Sequence, residues 1–122
     1  MEEEKIAKIA ANLKRENQLE ERRIEERIRD AHEEVQRLTA RFLEIDPELT
    51  EIVLFGSLAE GGVFSQHFDI DLAVSSEKYL QLVGCGLSSS FPVDVVDLDR
   101  VAQPIEDSIR KYGKTLYEKK EE

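Results

Sequence analysis

The sequence predicts a layered α/β (α+β) fold, a small mixed sheet with flanking helices and one long helix at the N-terminus. Three observations point there. Residues 1–45 contain no glycine or proline and are rich in Glu, Lys, Arg, Leu and Ala, a composition that favours helix. Three short apolar runs follow, each bounded by turn residues. The runs alternate with stretches of helical spacing, the pattern of helices packed on a sheet.

In the long helix, the apolar positions from Ile24 onward are Ile28, Ala31, Val35, Leu38, Phe42 and Ile45. Their steps alternate between four and three, which is one helical face. Upstream, Ile6, Ala10 and Leu13 form a second short stripe. The stretch Lys14–Arg23 between them is mostly charged, with Leu19 its lone large apolar residue. A continuous helix through Ile45 would be roughly 65 Å long, at about 1.5 Å per residue. That exceeds the width of so small a domain. The expected organisation is therefore an N-terminal helical extension over 1–25 and a domain over 26–122. The extension either projects, frays or pairs with another chain, including a second copy.

Asp46-Pro47 stops the helix, because proline disfavours helical geometry in the residue before it. Ile52–Phe55 reads as a short buried strand. Gly56-Ser57 follows, then a segment closed by Gly61-Gly62. Ile70–Val74 reads as a second strand, Glu77–Val83 as a short helix, Gly84–Ser90 as a loop and Val93–Leu98 as a third strand. Pro104 suits a first helical position, and Ile105, Ile109, Tyr112 and Leu116 mark the apolar face of a last helix.

Composition narrows the function. The 27 acidic and 17 basic residues leave a net charge of -10, whereas a nucleic-acid binder needs a basic footprint on the phosphates. DNA and RNA are therefore not expected partners. Cys85 is the single cysteine, so an intrachain disulfide cannot form, and Cys85 reads as a small apolar filler. The acidic N-terminus is no signal peptide, and no apolar run reaches the ~20 residues of a membrane span. A cytoplasmic location is expected.

Three features carry chemistry. Gly56-Ser57 follows a buried strand, where glycine lets backbone N–H groups approach a ligand and a helix start favours phosphate. The plain alternative is an ordinary turn capped by Ser57. Asp69 and Asp71 lie two apart, so on a strand they share a face. Their mutual repulsion calls for a cation, and oxygen donors suit magnesium or manganese. The alternative is a pair of solvated strand aspartates. Asp94 interrupts the apolar run Val93–Val96, where a buried carboxylate needs a metal or hydrogen bonds. If its strand lies beside the second, Asp69, Asp71 and Asp94 form one acidic cluster. Asp97 and Asp99 lie nearer the strand end and read as surface or cap residues. Such a cluster can hold two metal ions about 4 Å apart. Gly56 and Ser57 would then grip a triphosphate, and Asp94 could take the proton of an acceptor hydroxyl.

At this point the residues resemble a known family. Leu54-Phe55-Gly56-Ser57 followed by Phe68-Asp69-Ile70-Asp71-Leu72 resembles the signature of the DNA polymerase β nucleotidyltransferase superfamily. Val93-Asp94-Val95-Val96-Asp97-Leu98 resembles the strand that brings its third carboxylate. The tail Ile109–Glu118 is similar to the ending of the minimal nucleotidyltransferase branch, and the likeness spans about residues 35 to 118. The resemblance implies a nucleotidyltransferase fold. It implies Asp69, Asp71 and Asp94 as catalytic and metal-binding carboxylates for Mg2+, two ions, with Mn2+ an alternative. It also implies Gly56 and Ser57 on the triphosphate of ATP or another nucleoside triphosphate. Members of this branch resemble antitoxins paired with a HEPN-domain protein, to a tyrosine of which they transfer AMP. The runner-up is a non-catalytic antitoxin that neutralises its partner by binding. The sequence departs from the family at Glu60, where an arginine is common, and at Phe68, where serine is common.

Overall fold

The computed structural model describes residues 2–120. The elements are α1 (Glu2–Ile45), β1 (Glu51–Phe55), α2 (Ser57–Glu60), β2 (Ile70–Ser75), α3 (Tyr79–Leu87), β3 (Val93–Asp97), α4 (Gln103–Tyr112) and β4 (Lys114–Glu118). The four strands form one sheet in the order β3-β2-β1-β4. β1 runs antiparallel to both neighbours, with a bulge against β4 at Ile52/Val53. β2 and β3 run parallel, through the α3 crossover. The sheet is therefore mixed, and the expected layer arrangement holds.

Alternation along the strands sorts side chains between two faces. Ile52, Leu54, Ile70, Leu72, Val74 and Val95 face a core completed by Ala31, Val35, Leu38 and Phe42 of α1 and Leu82 of α3. Val53 and Ala73 turn to the opposite face, where Leu98 and Ile109 cover them. α1 is one continuous helix, but its buried residues begin at Ala31. Ile6, Ile9, Leu13 and Leu19 are exposed, as is every residue from 2 to 19, so α1 packs on the rest of the chain only from Glu20 onward. No helix among the described residues is long and apolar enough to cross a membrane.

The end of α1 is fixed by Asp46, a buried carboxylate that is fully used. It accepts from the Glu48 backbone N–H at 3.0 Å and from Ser76 Oγ at 2.6 Å. Leu38 has no exposed surface and meets the centre of the sheet-facing core. Leu38→Ala is expected to cost about 3 kcal/mol, from lost transfer energy plus the cavity left behind. Urea unfolding would read this as a lower midpoint at unchanged slope.

Two local readings are corrected. The Gly84–Ser90 loop is in part helix, since α3 runs through Gly84 and Gly86 to Leu87. Gly86 is placed there by packing: a Cβ would stand 3.2 Å from both Val93 Cγ1 and Val95 Cγ2. The last helix is also shorter than its apolar spacing suggested. α4 ends at Tyr112, Gly113 is extended, and Leu116 belongs to β4, which pairs with β1. Ile105 and Tyr112 are exposed, and Ile109 alone anchors α4. The edge position beside β1 outweighs helical spacing because pairing there satisfies a row of backbone groups.

Candidate functional site

The site lies at the end of the sheet where β1 stops and β2 and β3 begin. Phe55 closes β1 opposite Asp71 of β2. Asp71 in turn is the register partner of Asp94 on β3. Both carboxylates stand on the sheet face that carries Val53 and Ala73, beyond the part that α4 covers. Asp69 has the same parity but sits one residue before β2 starts. The Ile70 N–H donates to the Pro92 carbonyl at 2.9 Å, which ties the entry of β2 to the entry of β3. Parallel pairing thus places the Asp69-Ile70-Asp71 segment beside Asp94.

Gly56 makes the turn out of β1 and is the N-cap of α2. Its φ of 76° and ψ of -161° suit glycine. A Cβ at this position would overlap Asp71 Oδ2. The Gly56 backbone therefore lies directly against the Asp71 carboxyl, which neither residue's local sequence reveals. Ser57 is the first residue of α2 and does not occupy the capping position. The plain capped turn is therefore not formed, and the hydroxyl stands at the helix start.

Asp71, not Asp94, bears the desolvation. Asp94 is exposed, whereas Asp71 is half-buried, which corrects the expectation of a buried Asp94. β3 is an edge strand, so apolar neighbours along the chain do not bury the face that Asp94 occupies. Burial first, then the charges of Asp94 and Asp69, push the Asp71 carboxyl up to about 6. A cation held by the three oxygen-bearing side chains would remove that penalty. Among the described residues no three acidic, histidine or cysteine side chains stand so that they could hold a metal ion as placed. By chemistry the three carboxylates suit a hard cation, and the strand register brings Asp71 and Asp94 to the same sheet end.

Asp94 also lines a broad groove with Tyr79, Lys78, Ser76 and Lys119, which Asp69 and Asp71 do not reach. Tyr79 donates its hydroxyl to the Val95 carbonyl at 2.6 Å and blunts the free edge of β3. Of the basic residues near the tail, Arg110 is engaged by Glu51 at 2.8 Å and by Glu106 at 3.2 Å. Arg100 stands 3.7 Å from Asp97. Lys114 opens β4 opposite Leu54, at the same end of the sheet as Gly56. Asp97 receives the Asp99 backbone N–H, and Asp99 accepts from Ser75 Oγ. Both serve the turn after β3, as expected.

A family model described as "Polymerase beta, Nucleotidyltransferase" matches residues 37–122. The chain belongs to the polymerase beta nucleotidyltransferase family. Solved structures agree with that membership. A chain of a toxin–antitoxin crystal structure with AMP-PNP is similar at a TM-score of 0.55 and 25% identity, over 68% of this chain and 73% of that one. A mutant of the toxin–antitoxin MntA-HpeT is similar at a TM-score of 0.53 and 27% identity, over 72% of each chain. No curated protein matches the chain. The family match begins inside α1, so most of the long helix lies outside the part that the nucleotidyltransferase family shares. Polar residues of that helix reach the site's loops, and single-residue inspection of the sequence misses them. Glu20 accepts from Gln66 Nε2 at 3.1 Å, three residues before Asp69.

Proposed function

We propose that the chain binds ATP with magnesium and transfers AMP to a hydroxyl, a tyrosine of a HEPN-type partner protein, and so acts as the antitoxin of a pair. The observation that carries this reading is the abutment of Gly56 on Asp71 with Asp94 as the next residue across. It joins the Gly56 backbone, Asp71 and Asp94 at one sheet end, where a glycine backbone can approach a phosphate. Family membership supports the reaction class. The AMP-PNP of one similar structure and the toxin–antitoxin pairing of both support the nucleotide and the partner.

Asp69, Asp71 and Asp94 would hold Mg2+, as two ions, or Mn2+ in its place. Bound there, the metal supplies charge neutralisation for the triphosphate and for the departing pyrophosphate. The Gly56 and Ser57 backbone N–H groups and the Ser57 hydroxyl hold phosphate oxygens, and Lys114, opposite Leu54 at the same end of the sheet, is a basic residue available for the same charge. Asp94, open to the groove, takes the acceptor's proton. The acceptor oxygen forms its bond to the α-phosphorus as the bond to the bridging oxygen breaks. Pyrophosphate leaves with that electron pair. The protein's share is position and charge.

Calorimetric titration of ATP with magnesium tests the reading. Wild-type protein is expected to bind only with the cation, and Asp69→Ala is expected to lose that binding at least tenfold, since loss of a group that merely orients a metal ligand already costs about 10- to 100-fold. Cation-independent binding equal in both proteins would reject the site. The binding-only antitoxin would instead neutralise its partner undiminished in Asp69→Ala.

A further inference from the structure

α1 carries a polar line at seven-residue spacing, Glu20, Arg27 and Glu34. Two helical turns separate successive members, so they lie along one side of the helix. That side borders the apolar stripe, and each member engages a loop that leads into the site. Glu20 accepts from Gln66 Nε2 at 3.2 and 3.1 Å, in the loop that ends at Asp69. Arg27 places its guanidinium carbon 3.8 Å from the ring centre of buried Phe91. Phe91 packs in turn on Phe68, with ring centres 6.4 Å apart. Phe68 immediately precedes Asp69, and Phe91 stands one residue before Pro92, whose carbonyl receives the Ile70 N–H. Glu34 accepts from Ser89 Oγ, and that same oxygen receives the Phe91 backbone N–H at 3.2 Å. Arg37 bonds Glu34 and holds its carboxyl below the usual range, so the anchor is ionised at neutral pH.

We infer that Glu20, Arg27 and Glu34 are positioning residues that make α1 part of the catalytic scaffold, with the Arg27–Phe91–Phe68 stack setting where Asp69 stands. All three lie before the family match begins at residue 37. The stack also accounts for Phe68 where serine is common: a serine there would leave Phe91 without its aromatic neighbour. The inference rests on the proposed nucleotide site. It adds that metal affinity depends on a helix outside the shared domain. Without these anchors the loops that enter β2 and β3 would sample positions in which Asp69 lies off the metal. Groups that orient metal ligands commonly change metal affinity by about 10- to 100-fold.

The test compares wild type, Arg27→Ala and Arg27→Lys by calorimetric titration of ATP over a series of magnesium concentrations, with a thermal melt of each. In Arg27→Ala the magnesium concentration for half-maximal ATP binding is expected to rise about tenfold. In Arg27→Lys, which keeps a cation over the ring, it is expected to return most of the way. A merely structural role would lower the melting temperature and leave the magnesium requirement unchanged. A folded Arg27→Ala with the wild-type requirement overturns the inference while the nucleotide site stands. Wild-type protein with no magnesium-dependent ATP binding overturns both.

Discussion

Asp71→Asn is expected to stabilise the metal-free protein while abolishing metal-dependent nucleotide binding. The half-buried Asp71 carboxyl is pushed up to about 6 by burial and by its two acidic neighbours. Its ionised form is therefore costly in the folded chain and cheap in the unfolded one. Two pKa units correspond to roughly 3 kcal/mol, and solvent screening of a half-exposed group reduces this to about 1 kcal/mol. Asparagine keeps the shape and removes the charge, so the metal-free variant should melt about 4 °C higher. The sign follows from linkage. Because the folded pKa is the higher one, the wild type gains stability from this group as pH falls through 6 toward 3.8 and loses it as pH rises. The advantage of Asp71→Asn should therefore be full above pH 6 and vanish below about pH 4. Melts in chelator across that range, wild type against variant, would read it. With magnesium and ATP present the order should invert, because only the wild type gains binding energy. A variant less stable than wild type in chelator at pH 7 would contradict the electrostatic account of the site.

Gly56→Ala should damage both the stability of the domain and its nucleotide site. Two costs coincide there. The φ of 76° with ψ of -161° belongs to a region that residues with a Cβ avoid, a penalty of about 1–3 kcal/mol. The new methyl would also overlap Asp71 Oδ2, so the carboxylate or the turn must move. Gly61 separates the two effects. It also has a positive φ, of 77°, but a Cβ there meets nothing within 4 Å. Gly61→Ala should cost about 1 kcal/mol of stability and leave nucleotide binding near wild type. Gly56→Ala should cost about 2 kcal/mol or more and weaken ATP binding clearly further than Gly61→Ala does, because only there does the methyl meet a site carboxylate. Urea unfolding and ATP titration of the two variants side by side would separate strain from collision. Equal loss of binding in both would mean that the turn's conformation, not its contact with Asp71, matters.

Much of this architecture is legible in local pattern. The four-and-three spacing from Ile28 to Phe42 locates the packed part of α1, because a helix has one face to bury. The three apolar runs locate β1, β2 and β3, and the two-residue spacing of Asp69 and Asp71 places them on one face. These are short-range consequences of helical and strand periodicity, available without knowing what any element packs against. The registers that bring Asp94 across from Asp71 and Phe55 opposite Asp71 are set by pairing between segments more than a dozen residues apart. So are the abutment of Gly56 on Asp71 and the recruitment of Lys114–Glu118 as a fourth strand. Asp94 illustrates the difference: its apolar neighbours suggested burial, but an edge strand leaves that face open. The partners of Glu20, Arg27 and Glu34 lie in loops far along the chain, so helical spacing alone does not reveal what these residues meet. Periodicity along one chain segment determines which side chains share a surface. Only the tertiary structure decides which other surface they meet, because that choice depends on sheet pairing and packing between distant segments.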